Sequence, residues 1–371
     1  MLPSPTLSQQ SAAPAERPAP GSARPRLAAL DGLRLVAAVA VLAYHYTAID
    51  RDFWGRGGTE EFPTLSLLTR YGYLGVELFF IISGFVILMT AYGRGVSGFV
   101  ASRISRLYPA YWAAVLLTVG LQAFWDGGRQ VDAVDALLNL TMVQQVWDVT
   151  PVQGAFWTLW VELRFYLLIG VLMVLAGGIT RRKAIAFAML WPVCAELARA
   201  TDSGLLEALL IPTWAPYFAG GMLLYLLHRE GPDLLVGLGL GLNLVLCIQQ
   251  ASRDAGGRAA IGSDASVSEP VVGVLVVLMF ALVYACTTGP LARWDRGWLT
   301  VAGALTYPLY LVHGQFGYFV IDSLSGTVNS YLVVALATAL SFLLAWTIHR
   351  CVERPLHAPL RRRLRSALER G

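Results

Sequence analysis

LDGLRLVAAVAVLAYHY, residues 30–46, decides the fold. Apart from Asp31, Arg34 and His45 the stretch is apolar or aromatic, and with its flanks (27–48) it is long enough to cross a hydrocarbon core of about 30 Å at 1.5 Å per residue. It carries a charge inside and lacks a small-residue cleavage site, so it reads as a retained first span and not as a signal peptide. Arg34 and His45 lie eleven helical steps apart. At about 100° and 1.5 Å per step they share one face to within roughly 20° and differ in depth by about 16 Å.

Nine further apolar stretches follow, near 71–92, 106–125, 156–178, 183–200, 205–228, 233–250, 270–288, 298–321 and 331–352. The fifth is the least regular, broken by Pro192 and carrying Glu196. Glycines 237, 239 and 241 open one stretch of the seventh to close helix packing. Composition agrees: 56% of the residues are hydrophobic and only 14% charged, against about 25% charged in soluble domains. A soluble enzyme is excluded, because one core could not hide this much apolar surface. The net charge of +4 is spread through short loops, which excludes a nucleic-acid binder. Cys194, Cys247, Cys286 and Cys351 show no metal-ligand spacing and read as packing residues; no metal is expected. The expected fold is an all-α integral membrane protein of about ten transmembrane helices. It comprises a Pro/Ala/Ser-rich disordered tail (1–26), a membrane domain (27–352) and a basic tail (353–371).

Orientation follows from the Lys and Arg near span ends. The tails and even-numbered loops hold nineteen of them and the odd-numbered loops seven, together with most of the acids. Both termini are therefore expected in the cytoplasm of a multi-pass cell-membrane protein. The tail RRRLR (361–365) then faces anionic lipid.

Ionisable residues inside spans cost at least a few kcal/mol unless paired or wetted, which makes each a candidate for function. On this topology His45, Glu77 in the second span, Glu162 in the fourth and His313 in the ninth meet in one polar pocket. Arg34, Arg103, Arg106 and Glu353 belong to the cytoplasmic half. Plainer readings exist: His313 as a hydrogen-bonded packing residue, Glu162 and Arg164 as an internal ion pair, Arg103 and Arg106 as ordinary inner anchors. His45 also opens an H-x4-D pattern ending at Asp50, but five helical steps point the two about 140° apart.

Taken in order, DGLR followed after ten residues by His45, YLGVELFFIISGF (73–85), RISRLYPAYW (103–112), FWTLWVELRFY (156–166), YPLYLVH (307–313) and VERP (352–355) resemble the membrane acyltransferase-3 family, ten-span enzymes that O-acylate glycans and sugar-bearing metabolites. Glu77, where the family often has Asp, and Arg164 depart from the pattern. The resemblance implies an O-acyltransferase moving an acyl group, expected to be acetyl, from acyl-coenzyme A to a hydroxyl of a cell-surface glycan. It implies that Arg34 and His45 are essential and that Arg103 and Arg106 bind the coenzyme, whose phosphates suit planar guanidiniums. His45 is expected to act as general base or acyl carrier, with Glu77 or Glu162 orienting its ring, and His313 and Trp157 to meet the acceptor. The stand-alone form, without an appended esterase-like domain, is expected. A proton-coupled transporter using the same buried charges is the competing class, and a non-catalytic membrane sensor a third.

Overall fold

The computed structural model describes residues 27–49, 52–259 and 267–370, and the tail expected over 1–26, like Asp50 of the H-x4-D pattern, lies outside them. The described residues form helices and no strands. The long helices are α1 (Ala28–Thr47), α2 (Gly75–Ala91), α3 (Val96–Gln122), α4 (Trp157–Leu175), α5 (Arg181–Arg199), α6 (Ala215–Glu230), α7 (Leu234–Ala259), α8 (Glu269–Thr287), α9 (Gly297–Leu324), α10 (Ser330–Ile348) and α11 (Arg354–Leu368). Among the described residues eight segments are long and apolar enough to cross a membrane, and they contain α1 to α4, α6 to α8, and α10 together with α11. The helices α5 and α9 stand where the fifth and ninth spans are expected but are more polar. Pro192 is buried within α5, and Glu196 is compensated by Arg253 at 3.1 Å and Arg199 at 3.5 Å.

Three boundaries differ from expectation. The third helix starts at Val96, not near 106, so Arg103 and Arg106 lie two to three turns inside it. The expected sixth span is broken between Leu210 and Ala215. Ile211 adopts a left-handed φ of 47° there, and Pro212 disfavours helical geometry in the residue before it. The basic segment after the tenth span is helical: α11 follows a π turn over His349–Glu353 and packs against α3.

The core is built by α1 against α9, α2 against α6, and α9 against α10. Gly84 and Gly221 set the second contact. A Cβ on Gly84 would lie 2.0 Å from the Phe218 carbonyl oxygen, and one on Gly221 would lie 1.9 Å from that of Ile81. The two backbones touch, the close approach that membrane helices use where no hydrophobic effect drives them together. Outward faces remain apolar, with Val36, Leu167, Val174 and Leu175 all exposed. These are lipid-facing positions in a multi-pass membrane protein.

Candidate active site

Two cavities lie along the polar face of α1, and the sequence-derived candidates divide between them. The smaller, of about 110 Å³, is lined by Arg34, Arg103, Arg106 and Glu162 with Ser83, Tyr166 and Tyr307. The larger, of about 550 Å³, is lined by His45 with Phe53, Arg129, Trp157, Gln315 and Tyr318, and lies within the usual size range of ligand sites. Val76 and Tyr310 line both and form their common wall. The helical phase that aligns Arg34 with His45 thus delivers them to neighbouring cavities at different depths.

In the arginine cavity, Arg34 makes a 3.3 Å ion pair with Asp31, one turn back on α1. Arg103 donates to Ser102 Oγ at 3.2 Å and sits 5.9 Å from the Tyr166 ring centroid. Glu162 accepts hydrogen bonds from Ser83 Oγ at 2.6 Å and from Tyr166, one turn along α4. Its carboxylate is therefore held by two hydroxyls. Three guanidiniums converge on a partly enclosed space whose carboxylate is already engaged, an arrangement suited to a ligand with several negative charges. Glu162 and Arg164 form no ion pair: Arg164 donates to the Ala208 carbonyl at 3.0 Å and lies over Trp160, because residues two apart on a helix face different ways.

Four groups do not meet in one pocket. Glu162 belongs with the arginines, about three helical turns along α1 from His45. Glu77, 2% exposed, lines neither cavity and lies within electrostatic reach of Tyr217 and Cys247. His45 and His313 do come together, with their rings in an edge arrangement and centroids 5.0 Å apart. His45 Nδ1 faces two acceptors, and neither is Glu77 or Glu162. His45 Nδ1 lies 2.8 Å from the Val41 carbonyl and 3.3 Å from His313 Nε2. His313 Nδ1 in turn lies 2.8 Å from the Tyr310 carbonyl. A carbonyl only accepts, so in the neutral rings both histidines carry their proton on Nδ1. Nε2 is then the basic nitrogen of His45, and His313 presents a lone pair to its Nδ1–H. His313, 1% exposed, stands behind His45 and does not line the cavity. Trp157 does line it, and packs its ring 5.2 Å from that of Trp214. Glu353 pairs with His349 at 2.8 Å in the π turn.

Sequence reasoning missed what holds His313. Gln153, 1% exposed, donates through Nε2 to the Leu311 carbonyl and accepts through Oε1 from the Gln315 N–H, each at 3.1 Å. Those two backbone groups are ordinarily each other's partners in an α-helix, so one carboxamide is inserted into the ladder of α9 around His313. On the other side Tyr46 donates its hydroxyl to the His313 carbonyl at 2.7 Å. Both insertions need missing side chains: a Cβ on Gly314 would lie 2.5 Å from Gln153 Oε1, and one on Gly317 would lie 2.0 Å from the Tyr46 hydroxyl. The readable signal was GQFG (314–317), two glycines one turn apart directly after a histidine within a helix.

Tyr310 is also fixed. Thr158 donates to its hydroxyl at 2.9 Å, and that hydroxyl lies 3.3 Å from the Ala155 carbonyl. Among the described residues no group of three or more His, Cys, Asp or Glu could hold a metal ion.

Residues 27–350 match a family model described as an acyltransferase domain. The chain is 27% identical over 172 residues to YrhL of Bacillus subtilis (strain 168), and 26% identical over 160 residues to OatA of Listeria monocytogenes serovar 1/2a, both named as peptidoglycan O-acetyltransferases. Each alignment covers 38% of this chain, and 27% and 23% of the two relatives, so the chain spans about a quarter of their length. No solved structure matches it.

Proposed function

This chain belongs to the acyltransferase family whose domain covers residues 27–350, and from that premise we propose that it moves an acetyl group from acetyl-coenzyme A to a hydroxyl of a cell-surface glycan, with His45 at the point of transfer. Membership makes the protein an enzyme, in place of the transporter or sensor considered from sequence. The observation that carries the proposal is the pair of cavities on either side of Tyr310 and Val76, one rich in guanidinium and one containing the paired histidines.

Ten helices span the cell membrane in this proposal, with both termini in the cytoplasm. It assigns the arginine cavity to the donor, made in the cytoplasm, and the histidine cavity to the acceptor, outside. Arg103 and Arg106 hold the phosphates of the coenzyme, and Arg34 lines the path of its thioester arm. The acceptor oxygen attacks the thioester carbonyl carbon as its proton passes to His45 Nε2. The carbon–sulfur bond then breaks and the thiolate leaves with that proton. In the acyl-histidine variant Nε2 itself takes the acetyl group before the hydroxyl does. Both routes place positive charge on the imidazole, which His313 Nε2 and the Val41 carbonyl stabilise from behind, the role a carboxylate plays in a Ser-His-Asp triad. A glycan of the peptidoglycan kind, as in the names of the two relatives, fits this acceptor assignment.

Purified protein in nanodiscs, given acetyl-coenzyme A and a glycan acceptor, tests the reading through a thiol-reactive dye. Free coenzyme A is expected with the native protein and none above background with His45→Ala. Equal release from both would remove His45 from the chemistry.

A further inference from the structure

Among the described residues that line the histidine cavity, Gln315 has a buried polar atom with no hydrogen-bond partner. Gln315 is 6% exposed and lines the cavity, and its Oε1 is buried without a hydrogen-bond donor among the described residues. Its own backbone N–H is engaged by Gln153, so the side chain is anchored at its root while its carboxamide oxygen stands without a partner. A buried carbonyl oxygen left unbonded costs about 1–3 kcal/mol, which makes such groups rare unless a ligand supplies the missing donor. A glycine stands beside this oxygen, where any side chain would collide with it. Gly127 and Gly128 line the same cavity, and a Cβ on Gly128 would lie 2.4 Å from Gln315 Oε1.

The other walls define the ligand's chemistry. Phe53, Trp157 and Tyr318 present aromatic rings and Arg129 a cation, while no carboxylate among the described residues lines the cavity. Rings joined to a few hydrogen-bonding groups suit a pyranose, whose C–H faces pack on aromatics and whose rim is all hydroxyl. An amide oxygen accepts, so it selects a donor: a sugar O–H, not an ether or ester oxygen.

We infer that the Gln315 carboxamide reads the acceptor, its Oε1 accepting a hydrogen bond from a pyranose hydroxyl adjacent to the one that His45 deprotonates. This rests on the assignment of the histidine cavity to the acceptor. It adds that the neighbouring hydroxyl must be free: a sugar deoxygenated, or already esterified, at that position is rejected. Gln315 does not touch the transferred group, so its part is to position the acceptor. The consequence is acylation confined to one of two adjacent hydroxyls.

Equilibrium binding in the absence of any donor tests this. The probe is methyl β-N-acetylglucosaminide, whose 3- and 4-hydroxyls are adjacent, and its 3-deoxy and 4-deoxy analogues, titrated against the full-length protein in nanodiscs by tryptophan fluorescence, since Trp157 lines the cavity. With the native protein, one analogue is expected to bind about tenfold more weakly than the parent, the worth of one hydrogen bond. In Gln315→Leu the parent is expected to weaken by the same factor and the penalty for that analogue to vanish. A general packing defect would weaken parent and analogue alike and leave their ratio unchanged. Gln315→Met, unbranched like the native side chain, replaces Leu if that variant melts at a lower temperature. An unchanged ratio in the variant, or a native protein that binds parent and every analogue equally or not at all, overturns the inference. Because no donor is present, loss of the transferase reading shows separately: a protein that binds the sugar with this selectivity yet releases no coenzyme A refutes the transfer and keeps the sugar site.

Discussion

His313→Asn and His313→Gln form a matched pair that isolates one atom. An asparagine amide reaches about as far as Nδ1 of histidine, so it keeps a donor for the Tyr310 carbonyl and deletes the Nε2 lone pair that lies 3.3 Å from His45 Nδ1. A glutamine amide reaches about as far as Nε2 and restores an acceptor there. While His45 is neutral, that contact is an ordinary hydrogen bond. When His45 is positively charged in the transition state the same contact is charge-assisted and contributes about 1.5–3 kcal/mol. Net of the ordinary bond already made in the neutral state, worth about 1 kcal/mol, roughly 0.5–2 kcal/mol is lost in the transition state alone, so at about 1.36 kcal/mol per factor of ten His313→Asn is expected to lower kcat roughly 2- to 30-fold. The KM for acetyl-coenzyme A should hold, because His313 lines neither cavity. His313→Gln should recover most of the loss. The assay is steady-state coenzyme A release with varied donor at fixed acceptor, with a melting temperature for each variant, since position 313 is 1% exposed. Native-like kcat in His313→Asn, or equal damage from both substitutions, would refute the assignment of His313 to the charge on His45.

Three further outcomes are expected. Arg103→Ala and Arg106→Ala should raise the apparent KM for acetyl-coenzyme A while kcat recovers at high donor, the signature of lost binding common to ground and transition states; a lowered kcat at unchanged KM would contradict it. Gly221→Val should lower the melting temperature, because a Cβ there meets the Ile81 carbonyl and overpacking of this kind costs roughly 1–3 kcal/mol or more; an unchanged melt would show that α2 and α6 can separate freely. In a variant without Cys194 and Cys351, the two exposed cysteines among the described residues, Glu60→Cys should react with an impermeant thiol reagent on intact cells and Arg94→Cys only after permeabilisation. The reverse pattern would invert the orientation.

The apolar runs were legible because each helix must cover some 30 Å of hydrocarbon with apolar side chains, and that demand shows in the chain itself. It also misled where it did not hold. Arg103 and Arg106 looked like loop residues because charge in a span is costly, yet they sit inside α3, where a polar cavity receives them. That Arg34 and His45 share one face of α1 at different depths followed from helical phase and rise alone. The partners across helices did not follow. Glu162 and Glu77 lie at depths that suited a common pocket with His45, but the rotation of α2 and α4 about their own axes decides where each carboxylate points, and a single helix's sequence does not specify that rotation. Gln153 was invisible for a related reason. It lies 162 residues from Gln315, and nothing local marks a glutamine as one that inserts into another helix.

The central claim is that donor and acceptor enter from opposite faces and meet at His45. Proteoliposomes loaded with acetyl-coenzyme A and supplied with a glycan oligosaccharide outside, followed by mass spectrometry of the external sugar, test it directly. Acetylated sugar is expected outside with the native protein and absent with His45→Ala. With both reactants outside and neither inside, none should form. Product from reactants confined to one side would contradict the claim.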